Sequence, residues 1–391
     1  MSARGSLLAY ALNAVWRRRA KAVALGGGVS FAVALVASVL FLTDSLRAEA
    51  DRARMATPDI VVQRLIAGRP SILSSADAQT IAGIASVADV RPRVWGYLFL
   101  PALQGNVTVI GVSDRAPGLT VVEGALDVGR DRAPGAHEMV AGATLARALG
   151  LNVGDELGLP SPNPEARPLK LVGTFSSRVE LFTADVLLCD EPDARALLSL
   201  LPGEATDLAV SVINPAESRV IARTILERLP NARVLEKDLL GRVYALAYGR
   251  RAGLVLAAAI PALLALLILG WDRASGVGPD EKREIAILKA VGWSTKDVLW
   301  SKLLESVLVG ALATGAGLLL AYGWVFWLGA PGLRATLVGW SVLYPEGPLT
   351  PVVDLAQLLA ITLAVLAPFV GLSIVPAWRA ATVDPMEAMR T

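Results

Sequence analysis

PDEKREIAILKAVGW, residues 279–293, lies between two long apolar runs. Charge crowds its first six positions, a short apolar stripe follows, and a glycine closes it. Pro279 fits a first helical turn, where its missing N–H costs nothing, and Asp280 and Glu281 then suit the positive end of the helix dipole. Ile285, Leu288 and Val291 recur at helical spacing, with Ile287 beside them. Gly292 can take the left-handed conformation that ends a helix. Ser294, three residues before Asp297, has the spacing of a capping box that starts the next helix. The pattern predicts a short amphipathic helix at a sharp turn, joined rigidly to the helix that follows. An apolar ridge flanked by charge suits docking on a cytosolic protein or lying on a membrane surface.

The flanking runs set the context. Of 391 residues, 54% are hydrophobic, and mean hydropathy is +0.53. Only 18% are charged, against about 25% for a typical soluble domain. A membrane helix needs about 20 mostly apolar residues. Four windows hold no charge: 22–43, 252–271, 306–333 and 355–378. Gly26, Gly27, Gly28 and Ala32 in the first, and Gly310, Gly315 and Gly317 in the third, allow close helix approach in lipid. Tryptophans 16, 271, 300, 324, 327, 340 and 378 cluster near the expected ends, as interfacial aromatics do. The first window exceeds a signal-peptide core of about 7–15 residues, so an anchor is expected.

Basic residues orient the chain. Arg17, Arg18, Arg19 and Lys21 precede the first span. Arg273, Lys282, Arg283, Lys289, Lys296 and Lys302 separate the second from the third, and Arg379 and Arg390 follow the fourth. All three segments share one side of an even-numbered topology, which is therefore cytoplasmic. The fold class expected is a membrane protein with four transmembrane helices and a large α+β extracytoplasmic domain between the first and second. Its parts are a cytoplasmic interfacial helix (1–21), span one (22–43), the exported domain (44–250), span two (251–271), a cytoplasmic helix and turn (272–302), span three (303–328), an external loop (329–354), span four (355–376) and a cytoplasmic tail (377–391). Leu8, Leu12, Val15 and Trp16 give the first of these an apolar face.

The 207-residue excursion 44–250 has a different texture. β-rich runs recur at 59–63, 107–112, 169–175, 184–189 and 207–213, and helical patterns at 142–150 and 216–229, with Gly and Pro at the joins. An α+β domain of two subdomains is expected. Segment 142–158 reads as a short helix, a glycine cap and a turn into a strand. One cysteine, Cys189, excludes an internal disulfide, and one histidine, His137, leaves little for a histidine metal site. No acid/base constellation stands out. A net charge of +2 offers no field to recruit nucleic acid.

EKREIAILKAVGWSTKDV (281–298) resembles the cytoplasmic coupling-helix motif of FtsX/MacB-like permeases of ABC transporters, typically R-R-x-E-I-G-I-L-R-A-I-G-A-S. PAWRAATVDPMEAMR (376–390) resembles the family's closing motif, with Pro376, Ala380, Ala381, Asp384, Pro385, Ala388 and Arg390 in place. MVAGATLARALGLNVGDELGL (139–159) is similar to a stretch common in the exported domain. The departures are Ala286 for glycine, Trp293 after Gly292, and Met389 for leucine. The resemblance spans essentially the whole chain and extends to the lipoprotein-releasing permeases. It implies that Glu281, Arg283, Glu284, Ile285, Leu288, Lys289, Ala290 and Gly292 couple to an ATPase.

The chain contains no Gly-Lys pair and so no phosphate-binding Walker loop. The resemblance therefore implies a non-catalytic membrane subunit that binds no cofactor. ATP and magnesium would sit on a cytoplasmic ABC ATPase dimer. It implies pairing with a second copy or a related permease in the bacterial inner membrane, amid membrane lipids and with both termini cytoplasmic. A periplasmic adaptor or lipoprotein is a further expected partner, and nucleic acid is not. ATP-driven movement of the exported domains would serve efflux of a small molecule or peptide, or extraction of a lipoprotein or lipid. The alternative is a membrane-anchored receptor, or a regulator whose exported domain controls a partner such as a cell-wall hydrolase. No signalling segment is evident in the sequence for the receptor case. An intramembrane enzyme would need ionisable groups inside the spans, and the four windows contain none.

Overall fold

The computed structural model describes residues 10, 12–17, 19–113, 124–164, 166–177, 183–239, 250, 252–257, 260, 279–338 and 349–382. The chain divides into two compact units. One comprises Met1–Ser45, Gly249–Leu337 and Pro348–Thr391, and the other Leu46–Tyr248 and Val338–Gly347.

The second unit is α+β. Its principal sheet runs in the order β13-β1-β12-β4-β5-β10-β7-β9-β6. These strands are β1 (Ile60–Ile66), β4 (Val87–Leu100), β5 (Gly105–Val112), β6 (Gly124–Gly129), β7 (Glu138–Gly142), β9 (Leu169–Ser177), β10 (Val186–Asp190), β12 (Asp207–Val212) and β13 (Ala232–Glu236). Two short strands, β2 (Arg69–Ser71) and β8 (Glu156–Leu157), pair onto β1 and β9, and β3 (Leu73–Ser74) and β11 (Glu204–Ala205) pair with each other. The five sequence-predicted strands and both helices form. The helices become α3 (Ala143–Leu149) and α5 (Ser218–Arg228). Gly150 closes α3 at φ +67°, and the chain turns into β8.

The expected pair of subdomains is not resolved by the contact pattern, which keeps this region as one unit, but two of its apolar clusters lie along different halves of the sheet. Ile60, Val62, Leu208 and Val210 from the strands pack with Ile81 of α2 (Ser75–Ala82) and with Ile221 and Ile225 of α5. The other core gathers Val107, Val109, Met139, Leu171, Leu187 and Cys189 under Leu145 of α3 and Ala194 and Leu197 of α4 (Glu191–Leu198).

One strand serves both cores. The first half of β4 pairs antiparallel with β12, from Val87 to Arg93, and the second half pairs with β5, from Val94 to Leu100. Asp207, 1% exposed, clamps the changeover. Its carboxylate accepts two hydrogen bonds from Arg93, both 2.7 Å, and one from the Trp95 indole at 2.9 Å. The Thr206 hydroxyl donates to the Trp95 carbonyl at 2.6 Å. A buried carboxylate requires such a set, because desolvation otherwise costs several kcal/mol, roughly, per ion.

The other unit is helical. α1 (Arg19–Ala56) is a single 38-residue helix, about 57 Å long at 1.5 Å per residue. It does not stop at Asp44. A charge ends the lipid-compatible stretch, but DSLRAEADRARMA remains rich in helix formers. α6 (Pro279–Ala290) leads through a turn to α7 (Thr295–Tyr322), which widens into a π-helical turn at Gly323–Trp327. α8 (Leu333–Val338) and α9 (Leu355–Thr382) complete it. Among the described residues, two helical stretches, Ala22–Arg52 and Thr295–Trp327, are long and apolar enough to cross a membrane, and Leu355–Gly371 is a shorter apolar helix. Most of predicted span two falls outside the described residues, which are helical at 252–257 and 260.

Contacts within this unit run in register along the helices. Ser30 of α1 donates to the Ala313 carbonyl of α7 at 2.8 Å. Phe41 stacks near Phe326 with centroids 6.2 Å apart. Asp44 accepts from Gln357 at the start of α9, at 2.5 Å. α1 and α7 therefore run the same way, and α9 runs against them. Glycines set the spacing. A Cβ at Gly317 would lie 2.6 Å from the Ser30 carbonyl oxygen, and one at Gly310 would lie 3.0 Å from the Phe369 ring.

Gly317→Val therefore overpacks a backbone contact and should destabilise the helical unit by about 1–3 kcal/mol or more. Gly315→Val, where a Cβ meets nothing within 4 Å, should cost little. Thermal unfolding of both variants in nanodiscs checks the contrast, and equal losses would contradict the packing.

Candidate functional site

The α6–α7 corner is built from backbone satisfaction upward. The Trp293 N–H donates to the Leu288 carbonyl and the Gly292 N–H to the Lys289 carbonyl, both 3.0 Å. Those two bonds form a Schellman cap, which covers carbonyls that a helix end leaves open. The cap needs a left-handed residue, and Gly292 supplies it at φ +100°. The next helix starts at once. The Ser294 N–H donates to the Asp297 carboxylate at 3.0 Å, and its hydroxyl donates at 2.6 Å. The Asp297 N–H returns to the Ser294 hydroxyl at 3.2 Å. These bonds, the hydroxyl's first, hold the Asp297 carboxyl below the usual carboxylate range. A lowered value means the cap is fully formed at neutral pH and is lost only as pH falls through it.

The apolar stripe splits across the helix. Ile285 (3% exposed) is buried against Val298 of α7, with Trp293 packed beside them, and Ala286 is buried too. Ile287 and Val291 face outward, 53% and 77% exposed, and Leu288 and Lys289 are half-buried. Arg283, Ala290 and Gly292 are exposed. Glu281 lies in α6, its side chain outside the described residues. The corner thus turns Ile285 into the fold and leaves Ile287 and Val291 as the apolar surface, one helical turn apart.

Glu284 is turned inward as well. Its carboxylate accepts from the Tyr10 hydroxyl at 2.6 Å and pairs with Arg17 at 2.9 Å. The Tyr10 ring lies 5.2 Å from that of Trp293. Burial first, and then Glu284, push the Tyr10 phenol up to about 12. Sequence reasoning missed Tyr10 and read Arg17 only as an orienting charge. The available signal was their spacing of seven, which places both on one helix face. Trp16 and Trp300 lie exposed at this end of the unit, and Trp324 and Trp327 at the other.

Of the closing motif, Pro376, Ala380 and Ala381 lie on α9, which approaches α6. Asp384, Pro385, Ala388 and Arg390 fall outside the described residues. In the α+β unit, Cys189 is fully buried, and burial pushes its thiol up. His137 pairs with Asp193 at 2.7 Å. Among the described residues, no His, Cys, Asp and Glu side chains gather in a metal-binding group.

Two family models match the chain. The FtsX-like permease C-terminal model covers residues 256–385, and the MacB-like periplasmic core domain covers 27–225, just over half the chain. Among solved structures, the periplasmic region of MacB from Actinobacillus actinomycetemcomitans aligns at 12% identity and TM-score 0.34, over 47% of this chain and 91% of that one. The extracellular domain of YknZ, a noncanonic ABC-type transporter from Gram-positive bacteria, aligns at 10% identity and TM-score 0.32, over 45% and 99%. No curated protein matches the sequence.

Gly292→Ala should strain the cap by about 1 kcal/mol or more, through backbone conformation alone, since its Cβ would meet nothing within 4 Å. Gly292→Pro also removes the N–H donated to Lys289 and should unseat the corner. Hydrogen exchange across 285–297 reads both, with proline opening the segment further than alanine.

Proposed function

The chain belongs to the FtsX/MacB-like family of ABC-transporter permeases, and on that premise we propose that it is the subunit through which a separate ATPase drives work outside the cytoplasm. Permeases of this family are bacterial inner-membrane proteins that work with ABC ATPases. The observation that carries the proposal is the α6–α7 corner. A force on Ile287 and Val291 meets a helix that is capped, packed through Ile285 and Val298, and joined by a hydrogen-bonded turn to a long apolar helix. Such a joint passes displacement along α7 instead of absorbing it.

In this reading the chain crosses the membrane four times, and both termini and residues 272–302 are cytoplasmic. The α+β domain stands outside, between spans one and two. The register of contacts supports that sidedness. Tyr10 and Arg17 meet Glu284 at one end, and Asp44 meets Gln357 at the other. α1 carries on unbroken to Ala56, and a continuous helix transmits motion in and out of the membrane. Glu281, Arg283, Leu288, Lys289 and Ala290 complete the coupling helix, and the closing motif backs it through α9. ATP and magnesium sit on the ATPase dimer, and the permease pairs with a second copy or a related chain.

The work done is mechanotransmission, in which ATP binding moves the exported domain and no polar path crosses the membrane. The membrane helices are poor in polar side chains, and two of those present are used internally. Ser30 donates to the Ala313 carbonyl, and Thr362 to that of Leu358. A hydrophilic cargo would need polar groups to replace its water, at a cost of several kcal/mol, roughly, for each one left unsatisfied. The cargo is therefore met outside or in the outer leaflet. An exported peptide or small molecule, or a lipid-anchored protein, fits that position, with a periplasmic adaptor as a further partner.

Two measurements in cells test this. With the buried Cys189 replaced by Ala, Ser294→Cys should resist a membrane-impermeant thiol reagent and Val153→Cys should react. Capture of the full-length permease should bring down an ABC ATPase, and Val291→Asp should weaken that capture at least threefold. External labelling at position 294 would contradict the topology, and undiminished capture would contradict the docking surface.

A further inference from the structure

The coupling helix makes one set of contacts that its role as a docking surface does not explain. Glu284 and Trp293, at opposite ends of the α6 cap, are both engaged by the segment before α1. The Tyr10 hydroxyl donates to Glu284 at 2.6 Å, and Arg17 pairs with the same carboxylate oxygen at 2.9 Å. The Tyr10 ring lies 5.2 Å from the Trp293 ring, and the Arg17 guanidinium sits 5.8 Å from the Tyr10 centroid. Residues 12–17 are helical, so Tyr10 and Arg17, two turns apart, share a face. One short segment therefore braces α6 before its last turns, at Glu284, and after them, at Trp293.

α6 is also packed through Ile285 against Val298 and lies near α9. Apolar packing alone lets a short helix roll about its own axis more readily than directional bonds do, and a roll would turn Ile287 and Val291 away from a partner. A charged hydrogen bond and an aromatic contact from the N-terminal segment stop that roll. Hydrogen bonds to a charged group are among the stronger ones, and the phenol here is partly shielded from water.

We propose that Tyr10 and Arg17 are positioning residues: acting through Glu284 and Trp293, the N-terminal segment fixes the rotation of the coupling helix and so sets how efficiently ATPase motion is transmitted. This rests on α6 being the docking helix, and it assigns Glu284 to an intramolecular strut instead of the ATPase contact. Loss of the strut should leave the ATPase bound and able to bind ATP, but poorly coupled.

The test uses full-length permease in nanodiscs, alone and with its captured ATPase, for Tyr10→Phe, Arg17→Glu, Arg17→Lys, Glu284→Arg and the swap Arg17→Glu/Glu284→Arg. Tyrosine hydroxyl both donates and accepts, so the swapped pair can rebuild the node. In the permease alone, Tyr10→Phe and each single reversal should speed amide exchange across 285–293 by about three- to tenfold, while the swap and Arg17→Lys stay within about twofold of the parent. In the complex, stimulated ATP turnover should fall by a similar factor in kcat with KM for ATP unchanged, and the swap should restore it. Unchanged exchange in both Tyr10→Phe and Arg17→Glu would overturn the strut, as would a swap no better than its singles. Loss of ATPase capture in Glu284→Arg, with Tyr10→Phe and Arg17→Glu unaffected, would place Glu284 on the ATPase and also overturn it. The docking reading fails on a different result, full capture and turnover in Val291→Asp, whatever the exchange rates show.

Discussion

A helix that stops at a membrane surface must satisfy its last carbonyls, and the helix that follows must satisfy its first N–H groups. Between Leu288 and Asp297 the chain does both within ten residues. The Schellman cap at Gly292 and the box at Ser294 leave almost no free backbone between α6 and α7. Everything proposed for this permease depends on that corner being stiff. If it flexed, the outward-facing Ile287 and Val291 would be a surface attached to nothing.

The same economy of motion recurs in both units. In the helical unit, Gly317 lets the α1 backbone, and Gly310 the Phe369 and Leu366 side chains of α9, press closely on α7, so a shift of α7 must be shared by its neighbours. In the α+β unit, β4 belongs to both cores, and the buried Asp207 fixes the point at which it changes partner. Two apolar clusters that share a continuous strand clamped by a buried ion pair move together more readily than apart. That behaviour is what the proposed displacement of the domain as a body requires.

Much of this was legible because it is local. The cap at Gly292, the box at Ser294 and Asp297, and five strands all announce themselves within windows of a few residues. β4 was not legible. Its first half, VADVRPR, carries Pro92 and charged residues that argue against a strand, and only pairing with β12 overrides them. The reach of α1 beyond the apolar window was not legible for a different reason. Asp44 marks where lipid tolerance ends, and nothing in helix propensity stops the chain there. The facing of the amphipathic stripe depended on Val298 and Trp293, and the role of Glu284 on residues more than 260 positions away. Periodicity gives a helix its faces but does not say which neighbour covers each one.

The central claim is that α6 meets the ATPase with the face carrying Ile287 and Val291, while Ile285 stays against α7 and Ala286 stays buried. A photoreactive amino acid placed singly at 285, 286, 287 and 291 of the full-length permease, irradiated in membranes with and without ATP, tests it most directly. The account predicts crosslinks to the ATPase from positions 287 and 291, with yields that change on ATP binding. It predicts crosslinks within the permease, or none, from 285 and 286. ATPase crosslinks from 285 and 286 with none from 287 and 291 would contradict it.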